Sequence, residues 1–401
     1  MLQRLNRNLA AAKPSATYKM ADKAAEMRSL GRQVISFVAG EPDFDTPPHV
    51  VAAAAAAMEA GKTRYSPVSG IRELREAVAN KFQRENGLDV TWPETIVCNG
   101  GKQVLYNALA ATLNAGDEVI IPAPYWVSYP EMVQLCGAKS VIVPCTIDTN
   151  FKLTPDALIG AITNQTRWFI LNSPSNPTGA VYSKRELQEL SEVLLAHPQI
   201  LILSDDIYEH ITFDDLPFHT IAQVEPKLRD RVLTVNGVSK AYAMTGWRIG
   251  YGVGPRWLLQ AMETLQSQQT SGASTISQYA ALAALNGKQD FVQKSKDAFQ
   301  RRRDIVVEKI NRIPGLKCNL PDGAFYVFIC CSGIIDKSTV SGRILNNDED
   351  VALALLEEEG IATVHGGAFG LSPYLRLSYT ADETTLIKAS EAIASFCSKL
   401  V

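Results

Sequence analysis

The chain has 401 residues, 39 Lys and Arg against 42 Asp and Glu, and a formal net charge of −3, so no overall field favours nucleic acid or an anionic membrane. Hydrophobic residues make up 46% and charged residues 20%, the balance of an ordinary enzyme with a large core, and ~150 residues per domain suggests two or three domains. No run of about 18 apolar residues argues for a membrane span, and the seven scattered cysteines show no metal-ligand spacing and suit reduced thiols in a cytoplasm.

In chain order, the first twenty residues are basic and lack acids (Arg4, Arg7, Lys13, Lys19), yet no apolar core follows that would make them a targeting segment. A helical pattern over 17–30 ends at Gly31. A short strand over 34–38 then runs into the turn Gly40-Glu41-Pro42-Asp43. From Pro48 to about Leu285, apolar strands (96–98, 118–121, 140–143, 168–171, 200–203 and 232–235) alternate with helical stretches. Short apolar runs of this kind predict a buried, mostly parallel sheet covered by helices, with ligands beyond the strand C-termini. A polar helix is expected over 289–312, where Arg301-Arg302-Arg303 reads as a solvated face. After Pro314 come strands at 324–328, 362–364 and 375–378, a loop-like insert over 332–347, and a last helix over 383–400. The expected division is a small α+β domain from 1–47 and 290–401, and a large α/β domain over 48–289.

Candidate site residues follow the strands. Lys240 sits among small residues after 232–235, with Arg248 eight residues on between Gly246 and Gly250. A desolvated amine loses its proton readily and attacks carbonyls, and an arginine fork suits phosphate. Together they read as a Schiff-base lysine with a phosphate clamp, the binding logic of pyridoxal phosphate. Gly100-Gly101 would open a helix whose N–H groups face an anion; a plain strand–helix turn is the alternative. No dinucleotide or P-loop glycine pattern is present, which counts against a dehydrogenase. Trp126 could stack on a flat ring or simply fill the core. Asp205 ends an apolar strand, where it could hold a pyridine nitrogen protonated or merely cap a helix. Tyr208, three residues on, would donate to a phenolic oxygen, and this spacing favours Asp205 over its neighbour Asp206. Arg376 lies inside an apolar strand and needs an anion there, a substrate carboxylate or a structural acid.

From about Lys13 to the C-terminus, these motifs resemble, in order, those of class I aminotransferases of pyridoxal-phosphate fold type I. They are Ala39-Gly40-Glu41-Pro42-Asp43, Tyr125-Trp126-Val127-Ser128-Tyr129-Pro130, Asn172 to Gly179, Ser204 to Tyr208 and Asn236 to Tyr251. The resemblance is strongest to bacterial subgroup Ib aspartate aminotransferases, some of which use prephenate. It implies transamination between aspartate and 2-oxoglutarate, with pyridoxal 5′-phosphate on Lys240. It places Gly40 and Arg376 at the substrate carboxylate, and Asn176 on the cofactor phenolic oxygen and near the substrate. It implies a homodimer in which Tyr65 reaches the other subunit's phosphate. Gly237 stands where many relatives carry a phosphate-binding serine; Ser239 is the candidate substitute. Residues 267–271 offer no arginine for a side-chain carboxylate, so Lys102 is expected to serve, helped by Ser15 and Thr17, with Lys13 reaching bulkier dicarboxylates. The rival readings are an aminotransferase for aromatic or other amino acids, and a lyase or synthase using the same lysine.

Overall fold

The computed structural model describes residues 6–401; Arg4 lies outside them. In chain order the strands are β1 (Ile35–Ser36), β2 (Thr95–Cys98), β3 (Glu118–Ala123), β4 (Lys139–Pro144), β5 (Thr166–Asn172) and β6 (Leu201–Asp205). They continue with β7 (Val232–Gly237), β8 (Gly250–Val253), β9 (Tyr326–Cys330), β10 (Ile361–Ala362), β11 (Val364–His365) and β12 (Tyr374–Ser378). A seven-stranded sheet runs β2-β8-β7-β6-β5-β3-β4. It is parallel from β7 to β4. Every residue of β2, β6 and β7 is buried, because helices pack apolar clusters onto both faces. The six expected strands are all present, so the mostly parallel α/β reading holds.

The sequence reading passed over β8, which is antiparallel to both β2 and β7. Its glycines depress strand propensity. They are needed because a Cβ on Gly252 would sit 2.9 Å from Val104 Cγ1 of the helix Gly101–Thr112.

The remainder forms a second core around the antiparallel sheet β11-β12-β9 and the helix Asp290–Ile310. The strand expected over 34–38 shortens to β1, which pairs in parallel with β10. The insert over 332–347 is largely loop, anchored by buried Ile334 and Leu345. The solvated arginine face is corrected. Arg302 and Arg303 are only 7% and 2% exposed, and only Arg301 meets that description. Arg302 packs against the touching rings of Phe44 and Phe299, and Arg303 lies over Phe213 and pairs with Asp214. A triplet of like charges in sequence therefore spans a buried seam. Among the described residues, no helix is long and apolar enough to cross a membrane.

Candidate active site

Beyond the C-terminal ends of β5, β6 and β7 lies a cavity of about 520 Å³. Its lining carries four cations, Lys102, Lys240, Arg248 and Arg376, but only two carboxylates, Glu41 and Asp205. The cations contact backbone carbonyls, an amide or an aromatic ring; none forms an ion pair with a carboxylate among the described residues.

One wall is built by glycines. A Cβ on Gly250 would lie 2.1 Å from the backbone N of Gly101, so β8 meets the start of the helix Gly101–Thr112 in direct backbone contact. A Cβ on Gly100, which has φ +86°, would lie 2.2 Å from Arg248 Nη2. The guanidinium is thus laid across a helix N-terminus, whose free N–H groups already favour an anion. Arg248 itself has φ 57°, a left-handed conformation uncommon for a side chain, and its Nη1 donates to the Thr245 carbonyl at 2.9 Å. Gly237 is explained by the same crowding: a Cβ there would sit 3.0 Å from the Ile249 carbonyl oxygen. Ser239, 7% exposed, lines the cavity.

Lys240 follows β7 and donates from Nζ to the Gly40 carbonyl at 2.6 Å. Burial lowers its pKa to about 8; Glu41 opposes that shift, whereas Arg248 and Arg376 add to it. An amine near neutrality is what imine chemistry requires.

Asp205 ends β6 at the cavity floor. Tyr129 Oη donates to its Oδ2 at 2.7 Å, and no cation pairs with it, so burial raises its pKa to about 6. Asp206 faces away from the cavity, accepts from Ser204 Oγ at 2.6 Å and is raised to about 7, again by burial. The alternation of side chains along the strand end thus separates the two acids, and only Asp205 lines the cavity. Tyr208 Oη lies 2.8 Å from Tyr326 Oη.

The opposite wall comes from distant segments. Arg376 on β12 is 2% exposed between the rings of Tyr326 and Phe369, at 4.8 and 5.0 Å. Its Nη1 donates to Asn176 Oδ1 at 3.2 Å and its Nη2 to the Val38 carbonyl, but its buried Nε–H has no partner. Burial lowers its pKa. Gly40 lies so close that a Cβ would be 2.0 Å from Tyr326 Oη. Lys102 Nζ rests 4.8 Å from the ring centroid of Trp126; burial first, then Arg248, lowers its pKa. Ser15, Thr17 and Tyr18 close the rim.

The cavity therefore gathers all but three of the expected residues. Gly100 stands just behind the lining, under Arg248. Lys13 does not reach it; its backbone N–H donates to Glu131 Oε2 at 2.7 Å. Tyr65, 97% exposed, lines a separate surface groove with Thr270–Ile276, so within one chain it does not join the site. Residues 267–271 stay outside the cavity. Sequence reasoning missed Glu41, whose carboxylate accepts from Thr245 Oγ1, as well as Tyr129 and Tyr326. Tyr129 had a usable signal, since it lies in the same aromatic motif as Trp126.

The profile of the family described as "Aminotransferase class I and II" matches residues 32–393. The chain belongs to this family. It is a pyridoxal-5′-phosphate-dependent aminotransferase of fold type I. A "Probable aspartate/prephenate aminotransferase" from Rhizobium leguminosarum bv. phaseoli is 56% identical over 97% of both chains. An "Aspartate/prephenate aminotransferase" from Cereibacter sphaeroides is 56% identical over 99% of both. Among solved structures, the Rhizobium meliloti aspartate aminotransferase matches with TM-score 0.97 at 50% identity, covering 99% of this chain and 100% of that one. The Thermus thermophilus aspartate aminotransferase with maleate matches at 0.92 and 44%, covering 98% and 99%.

The residues of the aminotransferase fit its cofactor. A phosphate dianion suits the glycine-built helix N-terminus under Arg248. A protonated ring nitrogen suits Asp205, a buried carboxylate with hydroxyl and N–H donors but no cation.

Proposed function

We propose that this aminotransferase takes L-aspartate as amino donor and 2-oxoglutarate as acceptor, with prephenate as a further acceptor. The observation that carries the reading is the unpaired positive charge of the cavity, four cations against two carboxylates. A phosphate and a dicarboxylic substrate supply the anions those cations lack. The printed names of the relatives above point to the same substrates.

In this reading Gly100, Gly101, Ser239 and Arg248 hold the cofactor phosphate, Trp126 packs on its ring, and Asn176 and Tyr208 hold its phenolic oxygen. Asp205, ionised and steadied by Tyr129, keeps the ring nitrogen protonated. When bound, pyridoxal phosphate supplies a reactive carbonyl and an electron-accepting ring. Lys240 anchors it and, once released, takes the proton from the substrate Cα and returns it on the cofactor side. Its lowered pKa suits both directions. Arg376 holds the α-carboxylate with Gly40 beside it. Lys102 takes the distal carboxylate, with Ser15 and Thr17 at the rim and Lys13 serving only larger dicarboxylates. The enzyme works as a homodimer, which brings Tyr65 to the partner's phosphate. The large domain spans 48–289 and the small one 1–47 with 290–401.

The test is a panel of single half-reactions followed by cofactor absorbance. Aspartate should react fastest, and the aminated enzyme should be reset by 2-oxoglutarate and by prephenate. Faster turnover of phenylalanine than of aspartate would sink the acidic-substrate reading.

A further inference from the structure

We propose that the ion pair between buried Arg302 and exposed Asp43 is a positioning device for the substrate carboxylate site, although neither residue lines the cavity. The proposal rests on the reading of Arg376 as the carboxylate-binding residue. Two segments hold Arg376: the stretch from Phe37 to Asp43, and the end of β12 with the residues after it. They are joined by successive contacts. Ser378 N–H donates to the Phe37 carbonyl at 3.1 Å, and Arg376 Nη2 donates to the Val38 carbonyl. Arg302 closes the far end. Its Nη1 and Nη2 grip Asp43 Oδ1 and Oδ2 at 2.7 and 2.9 Å, and Nη1 also donates to the Thr380 carbonyl at 2.6 Å.

One guanidinium therefore ties the segment bearing Val38 and Gly40 to the segment bearing Arg376. A bidentate fork fixes direction as well as distance, which a single contact does not. Phe44 and Phe299, packed edge to face against each other, both border the guanidinium, at 5.1 and 5.6 Å, and restrict it further. Without the pair, the stretch 38–43 keeps its ties at Gly40 and Glu41 but loses the one that fixes its Asp43 end to the segment after β12. The Val38 carbonyl that orients Arg376 then shifts with it. Small misplacements of a binding group are costly because the fork must meet the carboxylate in one plane.

The experiment titrates the cofactor-loaded enzyme with maleate, a dicarboxylate that cannot react. Asp43→Asn keeps the shape and removes the charge. Its maleate dissociation constant should rise about tenfold, equivalent to about 1.4 kcal/mol. KM for both aspartate and 2-oxoglutarate should rise by a similar factor while kcat stays within about twofold, the pattern of lost ground-state positioning. Pyridoxal phosphate affinity should be unchanged. Arg302→Lys, which keeps the charge and loses the fork, should reproduce the shift. A folded variant that loses thermal stability but binds maleate like wild type overturns the proposal. Arg376→Lys is the control: if it too leaves maleate binding intact, the carboxylate reading itself fails. If only Arg376→Lys weakens binding, the positioning role alone fails.

Discussion

The two ends of the cavity are built differently. The end assigned to the cofactor stands on strand ends of one rigid sheet, where Asp205, Lys240 and the Gly100–Arg248 contact are fixed by backbone packing. The end assigned to the substrate is assembled from the rim at Ser15 and Thr17, the stretch 38–43, Lys102 and β12, segments far apart in sequence. At the first end backbone approaches leave no room for a single extra carbon. At the second, a buried guanidinium still has an unused donor. The contrast suits a division in which the steps common to all substrates stand on the sheet, whereas discrimination between acidic and uncharged side chains falls, in the reading above, to Lys102.

Substitutions can break or sharpen that division. The largest effect is expected for Lys240→Ala, a loss of roughly 10⁴-fold or more for every amino acid, since anchoring and proton transfer vanish together. Borohydride reduction of wild type should leave the cofactor on the Lys240 peptide; an adduct on another lysine would end the assignment. Next, Asp205→Ala should lower kcat by roughly 10²–10³-fold, again whatever the substrate, as the electron-accepting ring loses its fixed counter-charge. Normal half-reaction rates in that variant would mean the acid serves only structure.

Arg376→Lys should cost roughly a hundredfold in kcat/KM, expressed mainly in KM and shared by acidic and aromatic substrates. A loss confined to one class would show that the two ends are not divided as described. The smallest and most selective effect belongs to Lys102→Ala. A charge-assisted hydrogen bond contributes about 1.5–3 kcal/mol, so kcat/KM for aspartate should fall roughly ten- to a hundredfold while phenylalanine changes little. An equal loss for both would put Lys102 with the cofactor instead.

The same division explains what could be read from sequence. The sheet was legible because its strands are continuous apolar runs, and Lys240 and Asp205 because they follow such runs directly. β8 was not, since two of its four residues are glycines that serve packing rather than pairing. Arg302 and Arg303 were misplaced on the surface because their partners, Asp43 and Asp214, are distant in sequence. Tyr326 sat inside a strand that reads as core, and only the folded chain brings its hydroxyl to Tyr208 and its edge to Gly40. Glu41 was visible only as part of a turn motif; its bond from Thr245 joins positions 204 residues apart.

Lys102 resting over Trp126 has a further consequence. An ammonium covered by an uncharged side chain would lose hydration without gaining a counter-charge, which disfavours an amino acid without a second acid. Over an indole it has a second seat, favourable by about 0.5–2 kcal/mol. The charge can leave that seat for a distal carboxylate and keep it when none arrives. If Lys102 has the proposed role, one residue would serve acidic substrates and still admit uncharged ones. Replacing the ring, as in Trp126→Leu, should penalise aromatic amino acids more than aspartate once any common loss in cofactor affinity is divided out. A ratio of kcat/KM values unchanged by that substitution would show that the lysine has no second seat.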